Sequence, residues 1–259
     1  MWSDLTLETR NLKLTQMKVA VIFPLVAPSF VGKGASRIFA KIENRETFLR
    51  SVELYARRDE VVQRIVVVPP DDLPVMQEKY SAHLGFQGVT VAGGGSDWFS
   101  CVGRGVEKLD AAVDVVIVHD PCCPAVPFTL LDAMEEALDK NKSLAGIVPV
   151  LPSRWAFSDL DGGKLQEYVD MSAVSEIQSP QIFRKAPFVQ AYASRGKDTF
   201  VDDAELLISA GQKIGTVGGS RLNIRIDSDE LVRLAKDLLD HLPKPKSKTP
   251  LTPFDEAQW

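Results

Sequence analysis

The segment VVIVHDPCCPAV, Val115 to Val126, concentrates more reactive side chains than any other stretch of the chain. A β-branched run ends in His119-Asp120, and an adjacent thiol pair, Cys122-Cys123, follows between two prolines. Adjacent cysteines lack the spacing of a zinc site or of a Cys-x-x-Cys redox centre, and the chain has only one further cysteine. Asp120 is the stronger chemical candidate. A carboxylate just past the carboxyl end of a strand can hold a hard cation, or it can simply stabilise the turn before Pro121. His119, at the end of a buried strand, reads as a packing or hydrogen-bonding residue rather than a base. His83 and His241 read as helix-surface residues.

The surrounding pattern supplies the scaffold. Short apolar runs alternate with amphipathic stretches: strands at Lys18 to Pro24, Arg64 to Val68, Val89 to Val91, Asp114 to Val118 and Ala145 to Val150, with helices at Asn44 to Arg57, Asp72 to Leu84, Asp97 to Leu109 and Phe128 to Lys140. A last strand-helix unit is expected over Leu222 to Leu242. Runs such as IVVV and VVIV are apolar on both faces and belong inside a parallel sheet covered on both sides. The fold class is therefore α/β with three layers and a mostly parallel sheet. In such sheets ligands bind beyond the carboxyl ends of the strands. That rule singles out the loop after Pro24, the segment AGGGSDWFS, the HDPCCP turn and NIRIDSDEL.

Composition bounds the alternatives. The 259 residues are 45% hydrophobic and 25% charged, with a formal charge of -5, which argues against a nucleic-acid-binding surface built from a basic excess. No apolar run reaches the ~18 residues of a membrane helix, and the N-terminus lacks the apolar core of a signal peptide. A reduced, cytoplasmic protein is expected. Residues 1–16 and 243–259 read as peripheral extensions around one domain at 17–242. The segment from about Leu151 to Ile177 breaks the strand-helix rhythm and carries Trp155, Phe157 and Tyr168, which marks an arm inviting a partner.

Taken in order, ENRETFLRSVELYARRDEVVQRIVVV, the Gly-Gly run before a helix, VIVHDPCCP, SPQIF, VDDAELLISAG and GSRLNIRIDSDEL resemble the 2-C-methyl-D-erythritol 4-phosphate cytidylyltransferase family of isoprenoid biosynthesis. The resemblance covers about Lys18 to Leu242. It implies a Rossmann-like fold of the nucleotide-diphospho-sugar transferase type whose arm makes a homodimer. It also implies transfer of CMP from CTP to methylerythritol phosphate, or a related small phosphate-bearing acceptor, with a divalent cation. Such chemistry needs charge neutralisation more than a proton-transferring base. The resemblance puts Asp120 at the metal, Arg37 and Arg225 at the reacting phosphates, and Leu25, Val26, Ala27, Gly94, Gly95, Ser96, Cys101 and Pro121 around the nucleotide. Arg37 and Arg225 are then expected near Asp120 and close to Gly94 and Gly95, in a cationic pocket.

Departures from the family pattern gather at the acceptor end. Cys123 replaces an arginine that grips the substrate phosphate, Trp98 replaces the arginine of the Gly-Gly-x-x-Arg run, and Met171 stands where the arm carries an arginine. Pro28 removes an amide donor from the first loop, and Gly32 and Gly34 lie downstream of their family positions. These replacements leave a second reading open, a nucleotide-binding or regulatory relative without turnover. Asp202-Asp203 before ELLISAG reads first as a helix N-cap.

Overall fold

The computed structural model describes residues 17–31 and 36–242. Expectations for the two terminal extensions and for Gly32 and Gly34 lie outside these residues. In chain order the elements are β1 (Val19–Pro24), β2 (Lys41–Ile42), β3 (Arg45–Glu46), α1 (Thr47–Glu53), β4 (Val61–Val68), α2 (Leu73–Phe86), β5 (Val89–Gly93), α3 (Trp98–Val106), β6 (Val115–Val118) and α4 (Phe128–Lys140). There follow β7 (Gly146–Pro152), β8 (Ser158–Asp161), β9 (Lys164–Tyr168), β10 (Ser175–Ile177), β11 (Gln181–Arg184), α5 (Lys185–Ser194), α6 (Asp203–Ser209), β12 (Ile214–Gly218) and α7 (Asp229–Asp240).

The central sheet runs β10-β7-β11-β6-β1-β4-β5, with β12 also paired to β7. The β6-β1-β4-β5 half is parallel, as is β12 on β7, whereas β11 runs antiparallel between β6 and β7. Side chains alternate across this sheet, so the fully buried β1 feeds two cores. Val19, Val21 and Phe23 pack with residues of α1, α2 and α4, while Ala20 and Ile22 pack with α3, α5 and α6. This is the three-layer arrangement expected from the strands that are apolar on both faces. α7 closes a smaller cluster through Ala235, Ile226 and Ile42.

The final strand-helix unit is differently built. The strand is β12, ahead of the expected position, and Leu222 to Asp227 is irregular chain. Its backbone is tied elsewhere: Ile226 N–H donates to the carbonyl of Cys122 at 2.7 Å, which draws this loop onto the HDPCCP turn. The arm is a two-stranded hairpin, β8 with β9, whose residues are almost all exposed, Trp155 just before it at 75% and Tyr168 at 64%.

Candidate active site

β6 ends at Val118, and the next five residues form a turn with named partners from four directions. Asp120 N–H donates to Ser179 Oγ at 2.8 Å, and the Asp120 carbonyl accepts from Cys123 N–H at 2.9 Å. The Asp120 side chain is buried, with Oδ1 accepting from Cys122 N–H at 2.9 Å and Oδ2 accepting from Arg225 Nε at 2.7 Å. Burial pushes this carboxyl above the usual range, while the Arg225 guanidinium and the Cys122 amide pull it back. Asp120 therefore braces the turn before Pro121 and also pairs with the arginine expected beside it.

Arg37 is not in that ion pair. Its Nε donates to Asp229 Oδ1 at 2.8 Å, in the first turn of α7, and Ser36 beside it touches Cys122 Sγ at 3.4 Å. The loop carrying Arg37 is thus held against the same turn. All three cysteines are buried, and burial raises Cys122 to about 11 and Cys101 to about 12. They are thiols, not thiolates. Cys101, in α3, donates its S–H to the Gly95 carbonyl at 3.2 Å.

Two further expectations change. Leu25 is buried and its N–H donates to the Val67 carbonyl at 2.7 Å, so it is not a phosphate donor, and the first-loop expectation narrows to Val26 and Ala27. Gly94 and Gly95 line a groove between α3 and α5 with Arg104 and Arg195 rather than the cavity lined by Asp120. The reason is local packing. A Cβ on Gly94 would stand 2.7 Å from Val67 Cγ1 and 2.8 Å from Cys101 Sγ, so the loop is pressed down on the start of α3. Ser96, next in the loop, is exposed.

The cavity that Asp120 does line holds about 360 Å³ and opens among Pro28, Phe30, Trp98, Ser179, Gln181 and the pair Asp202-Asp203. Its described lining contains no lysine or arginine. The expected single cationic pocket is therefore split: Arg225 is turned onto the Asp120 carboxylate at one side, and the cavity wall is acidic and aromatic. Asp202 caps α6 by accepting from Glu205 N–H at 2.9 Å and also accepts from Gln181 Nε2 at 2.8 Å. Asp203 accepts from Trp98 Nε1 at 2.8 Å and from the Tyr192 hydroxyl, and burial raises its carboxyl to about 6. The cap is readable in the sequence, but the buried role of Asp203 is not. Nothing in VDDAELL distinguishes a carboxylate that points inward.

A model of the 2-C-methyl-D-erythritol 4-phosphate cytidylyltransferase (IspD) family matches residues 21–241. The chain belongs to that family. Among cytidylyltransferase relatives, those of Clostridioides difficile and Frankia casuarinae are 24% and 29% identical, over 78% and 90% of this chain and 85% of each relative. The bifunctional IspD/IspF enzyme of Solidesulfovibrio magneticus is 27% identical, over 76% of this chain and 50% of its own length. The fold is shared with the solved structure of 2-C-methyl-D-erythritol 4-phosphate cytidylyltransferase from Thermus thermophilus, at TM-score 0.69, 24% identity, and coverage of 86% of this chain and 100% of that one. It is shared equally with 4-diphosphocytidyl-2C-methyl-D-erythritol synthase from Anaerococcus prevotii, at TM-score 0.70, 20% identity, and coverage of 88% and 98%.

Within the cytidylyltransferase frame, the replacements acquire physical addresses. Cys123 is only 4% exposed and packs in the core between the sheet and α1 and α4, so it faces no phosphate. Trp98 is at the cavity wall, hydrogen-bonded to Asp203. Met171 starts a short 3₁₀ turn, Met171–Ala173, after the hairpin. No helix among the described residues is long and apolar enough to cross a membrane.

Proposed function

We propose that this chain transfers CMP from CTP to 2-C-methyl-D-erythritol 4-phosphate, or to a related small phosphate-bearing acceptor, in the cytoplasm and as a homodimer joined through the arm. An acceptor phosphate oxygen attacks the α-phosphorus of CTP; the new P–O bond forms as the bond to the β-phosphate oxygen breaks, and pyrophosphate leaves. The observation that carries this reading is the buried Asp120–Arg225 pair, 2.7 Å apart, at the carboxyl end of β6 beside an open cavity.

Each residue has a distinct task in this reading. Arg225 opposes the effect of burial on the Asp120 carboxyl and brings a fixed cation to the reacting phosphates, with Arg37 adding a second from the loop that touches Cys122. The amides of Val26 and Ala27, with Pro121, enclose the nucleotide. The cavity takes the hydroxyl-bearing end of the acceptor, because Asp202, Ser179 and Gln181 accept or exchange hydroxyl hydrogen bonds. The acceptor phosphate then stays at the Arg225 side.

A divalent cation such as Mg²⁺ fits this donor set. Each Asp120 oxygen accepts one hydrogen bond and keeps a second lone-pair direction, and no three His, Cys, Asp or Glu side chains converge among the described residues. A cation held by one carboxylate, with phosphate oxygens and water completing its shell, is the usual Mg²⁺ arrangement. Bound there, it would neutralise developing charge on the triphosphate. Calorimetric titration of CTP with and without Mg²⁺ tests the reading: Mg²⁺-dependent heat supports it, and no heat from CTP or any other nucleoside triphosphate defeats it.

A further inference from the structure

The carbonyls of the site turn are accounted for one by one. Asp120 O accepts from Cys123 N–H, and Cys122 O accepts from Ile226 N–H at 2.7 Å. Pro121 O accepts from Ser51 Oγ at 2.9 Å, and Cys123 O lies 3.0 Å from His119 Nε2. The last two are side-chain bonds inside the protein, made by residues that are 0% exposed. A carbonyl can only accept, so His119 carries its proton on Nε2. Its Nδ1 is then the acceptor of the Tyr55 hydroxyl, 2.8 Å away.

This geometry is demanding. His119 and Asp120 are consecutive, so they leave the sheet on opposite sides. Asp120 lines the cavity, while His119 enters the other layer against Phe23 and Tyr55, with ring centroids 5.5 Å from each. Burying an imidazole there is costly unless both nitrogens are bonded, and both are. The two contacts give the ring one donor and one acceptor nitrogen. Tyr55 follows α1, the helix that also supplies Ser51, so one segment grips the turn twice.

We infer that Tyr55 and His119 are positioning residues for cytidylyl transfer: Tyr55 orients the His119 ring, and His119 holds the Cys123 carbonyl so that the turn keeps Asp120 against Arg225 and the cavity. Neither residue touches substrate. The kinetic arm of the test rests on the cytidylyl-transfer reading, and the spectroscopic arm does not.

The experiment compares the full chain with Tyr55→Phe, His119→Gln and His119→Leu, at a temperature where melting curves show each folded. With only three histidines, the imidazole ¹⁵N resonances of His119 can be assigned. The wild type should show a ring protonated on Nε2. Tyr55→Phe should lower kcat about 5- to 10-fold, as loss of one orienting bond does, with KM for CTP within about twofold. His119→Gln, whose amide can still donate to the Cys123 carbonyl, should stay within about threefold of wild type, and His119→Leu should fall at least ~30-fold. A ring without a proton on Nε2, wild-type kcat in folded Tyr55→Phe, or equal loss in the Gln and Leu variants would overturn the inference. Should His119→Leu not fold, Tyr55→Phe against His119→Gln decides. Should the wild type release no pyrophosphate, the transferase reading fails separately. The ¹³C carboxyl resonance of Asp120 then decides the pairing: displaced in Tyr55→Phe it supports positioning, and unmoved it refutes it.

Discussion

Trp98 donates its indole N–H to Asp203 Oδ2 at 2.8 Å, joining the first residue of α3 to the first residue of α6 across 105 positions of sequence. Tyr192 donates to the other oxygen, and the residue is 1% exposed. The arrangement makes a wall of the cavity from a titrating group. Burial raises Asp203 from 3.8 to about 6, so the folded state binds a proton more tightly than the unfolded chain. Its favourable contribution is complete below the unfolded value and is lost as pH rises through about 6. Relative to Asp203→Asn, the wild type should therefore lose about 3 kcal/mol of stability between about pH 3.5 and about pH 7.5. Urea titrations of both proteins across that range check it; a flat difference would show that Asp203 does not titrate as its surroundings require.

How much of this is legible in the sequence differs by element. β1 and β6 announce themselves because both faces are buried, so VAVIF and VVIV are apolar without interruption. β11 and α5 do not: QIFR is four residues long, and KAPFVQAYAS carries a proline and no strong apolar stripe. β12 is hidden because IGTVG is thinned by glycines. In the site, Asp120 and Arg225 stand out through their motifs, and the two side chains meet at 2.7 Å. The Tyr55–His119 bond and the Trp98–Asp203 bond join residues 64 and 105 apart, and no periodicity reports such pairs.

Asp120 and Arg225 should behave as one unit. Breaking a buried pair leaves an uncompensated charge, so Arg225→Leu alone should cost about 3–5 kcal/mol of stability, and Arg225→Leu combined with Asp120→Asn should cost less. Asp120→Asn alone should keep the fold through its bond to Cys122 N–H but lower pyrophosphate release ~100-fold. Thermal melts and initial rates measure the two effects separately. Additive stability losses would mean the pair is not coupled.

Positions that read as lost phosphate contacts should divide by whether they line the cavity, since Trp98 and Cys123 are both buried. Trp98→Arg places a cation beside Asp203 on the cavity wall, away from the Arg225 side that holds the acceptor phosphate, and should leave KM for methylerythritol phosphate no lower than in the wild type. Cys123→Arg forces a charge into the core and should cost ~3–5 kcal/mol or prevent folding. Kinetics for the first variant and denaturation for the second test this; a stable Cys123→Arg enzyme would place that residue at the site after all.

The arm should carry self-association. Trp155, Leu165 and Tyr168 are 75%, 62% and 64% exposed on or beside a hairpin of two strands, an isolated arrangement that gains stability from a partner. Sedimentation at tens of micromolar should show a dimer, and Trp155→Glu with Tyr168→Glu should shift it to monomer. A wild-type monomer would refute the assembly.

Pyrophosphate release in the presence of Mg²⁺, measured with each of the four nucleoside triphosphates against methylerythritol phosphate and a panel of other small polyol phosphates, bears most directly on the central claim. The account predicts release with CTP in preference to ATP, GTP and UTP, a CDP-alcohol as the second product, loss of both on chelation of the metal, and a rate ~100-fold lower in Asp120→Asn. Absence of pyrophosphate with every nucleotide and acceptor, or release that Asp120→Asn leaves unchanged, would contradict it.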